Sequence, residues 1–354
     1  MMGEDTLVFD SVTHLYDMSD GNVKTDGGDQ FRNHLFGFHQ YLTPDEDRIL
    51  DAEEFLREWD AETVAEVVFA ESDVDLLIAQ PLPLTDFFHD GLSSWEKCAA
   101  MAEQYPDRML FWGAVNPLEG DRALELMERQ VEEFGAKAFK LYNVRYDYGE
   151  PFPWRMDDPQ IAFPIFEKAK ELGVELIGVH KGVPLGPQPI EGTELSDIDR
   201  AAVEFPELDF MVFHPGMPFL DELLWQVVRF DNVYASLAAT INFIDLAPRK
   251  FAETVGKLLF WGGPEKLVYG SEVPLFHPQW ALERFWEFEM PEELVEGYGY
   301  PQLTPEIKAM ILSGNLARLM DVDLDAAEET VKNDEFARRR AEDGTPDSWA
   351  TVEF

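Results

Sequence analysis

The stretch Val174–Gly182 reads VELIGVHKG, an apolar run of strand length that ends in a histidine followed by a lysine and a glycine. Three other stretches repeat this pattern of an apolar run and a polar terminus: Leu7–Leu15 (LVFDSVTHL), Asp209–Gly216 (DFMVFHPG) and Leu267–Pro274 (LVYGSEVP). Near-continuous apolar runs are typical of strands buried on both faces, as in parallel sheets. Polar side chains at the carboxyl ends of successive strands are where a (β/α)8 barrel builds its active site. We therefore predict an α/β fold of the TIM-barrel type.

Strand-length runs alternate with helical segments up to about residue 320. The predicted strands are 6–12, 74–80, 108–115, 136–142, 174–180, 209–214, 232–236 and 266–270. The segments 121–134 and 159–172, which lie between predicted strands, have the apolar spacing of amphipathic helices. Repeated β/α units of this number favour a closed barrel over an open doubly wound sheet. No glycine-rich phosphate-binding motif follows any of these runs, which argues against the usual nucleotide-binding folds.

We predict a barrel domain over residues 1–325 and a charged C-terminal extension over 326–354. The barrel carries a long insertion after its first strand, residues 17–70, that comprises a lid and a connecting helix. Its first part, 17–51, is rich in Gly, Asp, Asn and aromatic residues, and we expect a loop that covers the barrel mouth. Residues 143–158 are predicted to be a second loop over the same mouth. For residues 321–354 we expect a surface helix and an irregular tail, with packing on a neighbouring subunit as an alternative.

The chain has 70 acidic and 28 basic residues, a formal net charge of −42. A surface of this charge repels phosphate backbones and anionic lipid, so we expect neither nucleic-acid nor membrane partners. No run of about 18 apolar residues predicts a transmembrane helix. The acids are dispersed over the whole chain, and we interpret this as an adaptation to concentrated salt, as in halophiles.

Cysteine usage and the N-terminus bear on the compartment. Cys98 is the single cysteine, so no intrachain disulfide can form, and this fits a reducing compartment. The N-terminus is acidic and runs directly into a predicted strand, which leads us to expect no signal peptide. These features predict a cytoplasmic protein.

In their order along the chain, these stretches resemble the motifs of the amidohydrolase-related branch of the amidohydrolase superfamily. That branch contains metal-dependent hydrolases and decarboxylases built on TIM barrels. The matching positions are Asp10–His14 (D-x-H-x-H), His180, His214–Gly216 (H-x-G) and Gly270–Pro274 (G-[ST]-D-x-P). The resemblance extends over about residues 5–320. This chain departs from the pattern at two positions, with Val12 in place of the first histidine and Glu272 in place of the aspartate.

The resemblance implies a catalytic site with one divalent metal ion, zinc in the first place and manganese or iron as alternatives. His14, His180 and Glu272 are the predicted ligands. Three protein ligands with an open position are typical of catalytic metal sites, where the ion activates water or polarises a substrate oxygen. His214 and Glu272 are the predicted catalytic residues, with His214 as a base or a fourth ligand.

The two departures leave alternatives open. Val12 cannot bind a metal, and His34 or His39 from the first insertion is a candidate to replace the missing imidazole. As a further alternative, the longer side chain of Glu272 replaces the metal as a general base or forms an ion pair with Lys140. Either alternative would change the chemistry of the site.

Four further residues are candidates for contact with substrate. Lys140, near the end of the fourth strand, is predicted to be structural or to bind a substrate anion. Arg145 on the following loop has the geometry to clamp a carboxylate, although it would equally balance neighbouring acids. Trp112 and His277 are candidates for the pocket wall, with ordinary packing as the equal alternative.

These observations lead to three hypotheses. The first is a metal-dependent hydrolase of a small carbonyl compound, which attacks with metal-activated water. The second is a non-oxidative decarboxylase of an aromatic or unsaturated carboxylic acid. The third is a metal-free barrel that acts as a binding or assembly protein. A homodimer is an expectation from the resemblance alone.

Overall fold

The computed structural model describes residues 6–147, 150–215 and 217–352. Each run predicted to be a strand overlaps a strand of the structure, so those predictions are confirmed. The strands are Phe9–Thr13 (β1), Leu76–Ala79 (β2), Met109–Phe111 (β3), Gly113–Ala114 (β4), Phe139–Tyr142 (β5), Val144–Asp147 (β6), Glu150–Pro153 (β7), Leu176–His180 (β8), Asp209–Phe213 (β9), Val233–Ser236 (β10) and Leu267–Val268 (β11).

Parallel pairing joins all of these strands except β6 and β7 into the barrel. One parallel sheet has the order β1-β2-β3, and the other has the order β4-β5-β8-β9-β10-β11. The two sheets meet where β3 runs into β4, and there the Trp112 N–H donates to the Ala79 carbonyl at 3.1 Å. On the opposite side, the His14 N–H donates to the Val273 carbonyl at 3.0 Å. The predicted TIM barrel is confirmed.

The helices surround the strands and cover the barrel. They are Asp26–Leu42 (α1), Ala52–Phe55 (α2), Ala61–Ala65 (α3), Trp95–Gln104 (α4), Asp121–Glu132 (α5), Ala162–Glu171 (α6), Ile198–Glu204 (α7), Leu220–Arg229 (α8), Phe243–Leu246 (α9), Pro248–Gly262 (α10), Pro278–Glu287 (α11), Glu292–Tyr298 (α12), Pro305–Ala309 (α13), Asn315–Met320 (α14), Leu324–Val331 (α15) and Glu335–Asp343 (α16). Within the described ranges, no helix has both the length and the apolar character needed to cross a bilayer.

The interior of the barrel is filled by a cluster of buried side chains that includes Phe9, Val12, Trp112 and Phe213. The ring of Trp112 stands edge-on to that of Phe213, with 6.0 Å between the ring centres. Gly178 of β8 makes room for both rings, because a Cβ atom there would lie 2.7 Å from Trp112 and 2.8 Å from Phe213. This layer closes the barrel beneath its carboxyl-terminal mouth.

Residues 17–51 are not the loop expected from composition, because α1 occupies about half of the segment. The helix begins after Thr25, whose hydroxyl accepts the Gly28 N–H as an N-cap. Its apolar side chains recur at helical spacing, at positions 31, 35, 38 and 42. Glycines and polar residues between them obscure that period in the sequence.

The second expected loop, residues 143–158, contains the antiparallel hairpin β6–β7. The C-terminal extension contains α15 and α16 and packs against the barrel of the same chain. Its Asp334 accepts a hydrogen bond from Arg108 at 2.5 Å, and Trp349 is buried. The extension therefore has two helices where one was expected, and the buried side chain of Trp349 fixes the segment that follows them.

Candidate active site

The structure brings the polar termini of the four stretches into one pocket at the carboxyl ends of the strands. His14 follows β1, His180 ends β8, His214 follows β9 and Glu272 follows β11, and Lys140 of β5 joins them. The pocket encloses about 650 Å³ of empty space, its open mouth included. The grouping predicted from the sequence is thus present.

His14 and Glu272 face each other across the pocket floor. The Nδ1 atom of His14 lies 2.7 Å from the carbonyl oxygen of Gln80, which can only accept a hydrogen bond. The hydrogen of a neutral His14 ring is therefore on Nδ1. Its Nε2 atom, 3.5 Å from Oε1 of Glu272, carries the lone pair. The ring also stacks on Tyr16 at 5.0 Å, which fixes its orientation.

His180 and His214 form a chain of ring nitrogens between two carbonyl oxygens. The Nδ1 atom of His214 is 3.1 Å from the Ala238 oxygen, and its Nε2 atom is 3.2 Å from Nδ1 of His180. Nε2 of His180 is in turn 3.2 Å from the Val183 oxygen. All of these contacts are satisfied only when one of the two rings carries an extra proton. Burial lowers the pKa of both histidines and so disfavours this extra proton.

Glu272 is a buried anion. Burial alone would raise the pKa of its carboxyl group, but His214, His14 and Lys140 together lower it to about 2. Its Oε2 atom lies 3.7 Å from Nδ1 of His214 and has no hydrogen-bond partner among the described residues. A buried carboxylate oxygen in this state is available to a substrate, a water molecule or a cation.

Lys140 supplies a buried cationic side chain to the same floor. Burial lowers the pKa of Lys140 to about 7, with Glu272 opposing the shift. The Nζ atom donates to Oε1 of Gln80 at 3.4 Å and lies 3.3 Å above the ring centre of Phe213, a cation–π contact. Within the described ranges it has no carboxylate at salt-bridge distance, so its protonated form can interact with a bound ligand.

Gln80 is the polar residue of the site that we did not predict. Its backbone oxygen fixes the tautomer of His14, its Oε1 atom receives Lys140, and its Nε2 atom donates to the Ser11 oxygen at 2.6 Å. The predicted strand 74–80 ends on this glutamine, in the same position relative to its strand as the histidines have to theirs. Its position at the end of a predicted strand could have identified Gln80 as a site residue.

Backbone strain is concentrated at this pocket. Val183, His214, Ala239 and Glu272 all have positive φ values, of 42°, 61°, 57° and 71°, and all line the pocket. Residues other than glycine rarely adopt this left-handed conformation, which is unfavourable by about 1 kcal/mol or more. Strain of this kind often accumulates at functional sites, which makes the pocket the candidate active site.

The walls above the floor are apolar. They are built from α1 and from the loops around the barrel mouth: Phe31, Leu35, Phe38, Leu42, Leu82, Leu84, Val183, Leu185, Met217, Leu275 and Phe276. Polar groups confined to the floor and apolar walls above it are the usual layout of a site for a small, largely apolar ligand.

Three residues proposed from the sequence as pocket walls or substrate clamps lie elsewhere. Arg145 is buried and its Nε atom donates to Asp86 at 2.9 Å, beside a separate polar groove. Trp112 lies in the barrel interior beneath the site. His277 precedes α11, accepts the Gln279 N–H as an N-cap, and pairs with Glu71 at 3.3 Å. None of the three lines the pocket.

His34 and His39 do not supply the imidazole that is missing at position 12, where this chain has valine. Both ring nitrogens of His39 are engaged at 2.9 Å, with the Leu275 oxygen and the Leu50 N–H. His34 accepts the Gly186 N–H at 3.0 Å and is exposed. Both histidines hold surrounding segments together instead.

The predicted metal ligands do not fit a single ion in this arrangement. Within the described ranges, no three His, Cys, Asp or Glu side chains are placed so that they could hold one. His14 and Glu272 converge, but the nitrogens of His180 are directed at His214 and Val183. Val12 is fully buried among apolar side chains. Metal binding by His14, His180 and Glu272 therefore stays a prediction.

Comparison with known proteins gives a family match and similar folds. The sequence profile of a family described as Amidohydrolase matches residues 32–322. No curated protein matches the sequence of the chain. An uncharacterized TIM-barrel protein of Bordetella bronchiseptica superposes with a TM-score of 0.59 at 19% identity, over 91% of this chain and 99% of that one.

Two solved structures with named activities have the same fold. A 5-carboxyvanillate decarboxylase of Novosphingobium aromaticivorans, in complex with manganese and 4-hydroxy-3-methoxy-5-nitrobenzoic acid, has a TM-score of 0.57 at 13% identity, over 91% of this chain and 98% of that one. A probable 2-pyrone-4,6-dicarboxylic acid hydrolase of Acinetobacter baumannii, with citric acid bound, has a TM-score of 0.52 at 13% identity, over 89% and 99%. At such identities the likeness establishes the fold, whereas the chemistry has to be argued from the site.

Proposed function

The chain belongs to the amidohydrolase family, and from that premise we propose that it is a hydrolase of a small, largely apolar carbonyl compound. The observation that carries this proposal is the pairing of His14 with Glu272. A histidine of fixed tautomer presents its lone pair beside a buried carboxylate, at the floor of an apolar pocket.

In the proposed reaction, His14 acts as the general base. Water attacks the carbonyl carbon of the substrate and transfers a proton to Nε2 of His14. The resulting imidazolium is stabilised by Glu272, 3.5 Å away, and by the hydrogen bond from Nδ1 to Gln80. When the tetrahedral adduct collapses, the bond from the carbonyl carbon to the leaving oxygen breaks, and His14 returns the proton to that oxygen. The charged neighbours of Glu272 lower its pKa and keep it a carboxylate, so we assign it an electrostatic contribution.

Lys140 is the proposed stabiliser of the negative charge that develops on the carbonyl oxygen. A cation held in a pocket with apolar walls interacts with such a charge more strongly than it would in water. We assign His214, predicted from the sequence to be catalytic, the positioning of His180, because both of its ring nitrogens are already engaged.

A second candidate function is the decarboxylation of an aromatic or unsaturated acid. The apolar walls favour it, since a desolvated carboxylate loses carbon dioxide more readily than a hydrated one. In that reaction the carbon–carbon bond to the carboxyl group breaks, and a proton takes its place on the carbon atom. Solved structures of the same fold include 2,6-dihydroxybenzoate and 5-carboxyvanillate decarboxylases.

The divalent ion predicted from the sequence is a separate proposal, and the reaction above takes no step through it. Elemental analysis of the protein purified in concentrated salt tests it, for the wild type and for His180→Ala. One equivalent of zinc, manganese or iron that is lost in the variant would establish the site. Its absence from both proteins would end the proposal.

The test of the proposed reaction is a panel of probes on matched variants. Phenyl acetate and dihydrocoumarin report hydrolysis, and 2,6-dihydroxybenzoate and 5-carboxyvanillate report release of carbon dioxide. We expect hydrolysis by the wild type, and a loss of about 100-fold or more in His14→Gln. His34→Gln is the control, because it makes the same change at an exposed histidine outside the pocket.

Each outcome of this panel is informative. Hydrolysis that persists in a folded His14→Gln protein would overturn the assignment of the base. Release of carbon dioxide without hydrolysis would establish the second function. Binding of the probes without turnover would favour the hypothesis of a binding protein.

A further inference from the structure

An uncovered group of apolar side chains lies on the outside of the barrel, away from the pocket. We call it the aromatic patch, and it consists of Trp225 and Val228 on α8, Phe260 and Trp261 at the end of α10, and Tyr298 at the end of α12. These side chains are exposed by 58%, 40%, 50%, 44% and 61%, respectively. Aromatic residues of this size are seldom left so accessible in groups.

The members of the aromatic patch touch one another. The ring centres of Trp225 and Trp261 are 5.6 Å apart, and those of Phe260 and Trp261 are 5.5 Å apart. Tyr300 continues the series, at 6.3 Å from Phe260 and 5.5 Å from Tyr298. Trp225, Trp261 and Phe260 therefore form one aromatic group, and the buried ring of Tyr300 connects Tyr298 to it.

Its size suits a protein interface. With roughly 200 Å² per aromatic side chain and about half of each exposed, the four aromatic residues present about 400 Å². A stable interface buries about 800 Å² on each partner, with apolar residues at its centre and polar residues at its rim. The aromatic patch has the area expected of such a centre.

The charge around the patch is unusual for this chain. Residues 223–230 and 254–264 contain no acid, although the whole chain has a net charge of −42. Glu296 adds an acid near Tyr298, but two acids next to the α8 and α10 part of the patch are paired, Asp221 with Lys257 at 2.8 Å and Glu253 with Arg249 at 2.9 Å. This is a part of the surface that another highly acidic molecule could approach without strong repulsion.

We propose that the aromatic patch is the contact between two copies of this chain. A two-fold contact places the patch of one copy on the same patch of the other, so the apolar area is matched and the acidic surfaces remain outside. A basic partner would instead be attracted to the acid-rich surface elsewhere. The proposal does not depend on the proposed function, because the patch shares no residue with the pocket.

The contact should strengthen with salt. Two copies with a charge of −42 repel each other at low ionic strength, and salt screens this repulsion. The burial of aromatic surface does not weaken under those conditions. Association through ion pairs would instead weaken as salt is added.

Sedimentation velocity of the full chain over a concentration series, in low and in molar potassium chloride, tests the proposal. We expect a dimer in molar salt for the wild type, and a monomer for Trp225→Ser combined with Trp261→Ser. Tyr41→Ser removes an aromatic side chain that is 65% exposed on α1, and it should remain dimeric. Circular dichroism checks that each variant is folded.

Crosslinking tests the location of the contact independently. Cys98 is buried and is the single cysteine, so an introduced cysteine is the reactive one. With a short bis-maleimide, Val228→Cys should give a covalent dimer and Tyr41→Cys should not. A monomeric wild type in molar salt, a dimer that survives the double serine substitution, or equal crosslinking at both positions would overturn the proposal.

Discussion

Glu272 combines three features that do not favour stability. Its backbone has a φ of 71°, its side chain is buried, and one carboxylate oxygen has no hydrogen-bond partner among the described residues. Each of these is unfavourable to folding, and the surrounding structure must impose them. Their coincidence in a residue that faces His14 is the reason to regard this pocket as a reaction site.

Val12 determines the metal chemistry of the site, in our account. We expect Val12→Glu to gain a carboxylate donor beside His14 and Glu272, and manganese should then raise its melting temperature, because an ion that binds the folded state stabilises it. Val12→Gln has the same shape without the charge and should not respond. Thermal melts with and without manganese measure this. A wild type that is stabilised as strongly as Val12→Glu would contradict the account.

His39 makes a pH-dependent contribution to stability. Burial lowers its pKa from 6.5 to about 4, so the unfolded chain binds the proton first as the pH falls. The free energy of unfolding should therefore decrease below pH 6.5 and continue to decrease towards pH 4. From this shift we expect a loss of about 2 kcal/mol by pH 5 relative to His39→Gln, measured by chemical denaturation. Parallel pH profiles for the two proteins would refute this assignment.

For single residues, the sequence predicts which side chains share the pocket. It predicts less well which buried polar side chains contact each other. His14, Lys140, His180, His214 and Glu272 were expected together because each lies at the end of a strand. The partner of a buried polar residue depends on packing between distant segments. Glu71, for example, is 206 positions from His277, and no local pattern indicates their contact.

The element that shapes the substrate pocket is α1. It lies across the barrel mouth with its apolar face directed into the pocket, and His39 fastens it to the Leu275 oxygen at 2.9 Å. The sequence predicts a cover at this place but not a helix, because Gly27, Gly28 and Gly37 weaken the helical signal. Tertiary packing of the apolar face supplies the stability that local propensity lacks.

Strand β8 requires glycine where the barrel interior is tightest. A Cβ atom at position 178 would lie 2.7 Å from Trp112 and 2.8 Å from Phe213, and these two rings pack against each other. We expect Gly178→Ala to lower the free energy of unfolding by about 1–3 kcal/mol. Gly37→Ala is the control, since a Cβ atom there meets nothing within 4 Å and helix propensity should make it neutral or stabilising. Equal melting temperatures for the two variants would contradict this view of the barrel interior.

The strands were the most predictable elements. Their apolar runs are long enough to be recognised without knowledge of their neighbours, and each was found at the expected place. The division of the third strand into β3 and β4 at Trp112 was not foreseeable, because it arises where the two sheets meet.

At the scale of the whole molecule, net charge governs stability. Self-repulsion of a chain with a charge of −42 is unscreened at low ionic strength. We expect the melting temperature to rise between dilute and molar potassium chloride, by more than it does in sucrose of equal osmolarity, which acts by exclusion alone. Differential scanning calorimetry would measure it. A melting temperature that is indifferent to salt would remove the interpretation of the acidic surface as an adaptation to salt.

The most direct test of the proposed hydrolysis is the source of the product oxygen. The wild type and His14→Gln are incubated with dihydrocoumarin in ¹⁸O-labelled water, and the product acid is analysed by mass spectrometry. The account predicts enzyme-dependent incorporation of one labelled oxygen by the wild type, reduced to the uncatalysed background in a folded His14→Gln protein. Incorporation that is equally fast in both proteins would contradict the central role of His14 and Glu272.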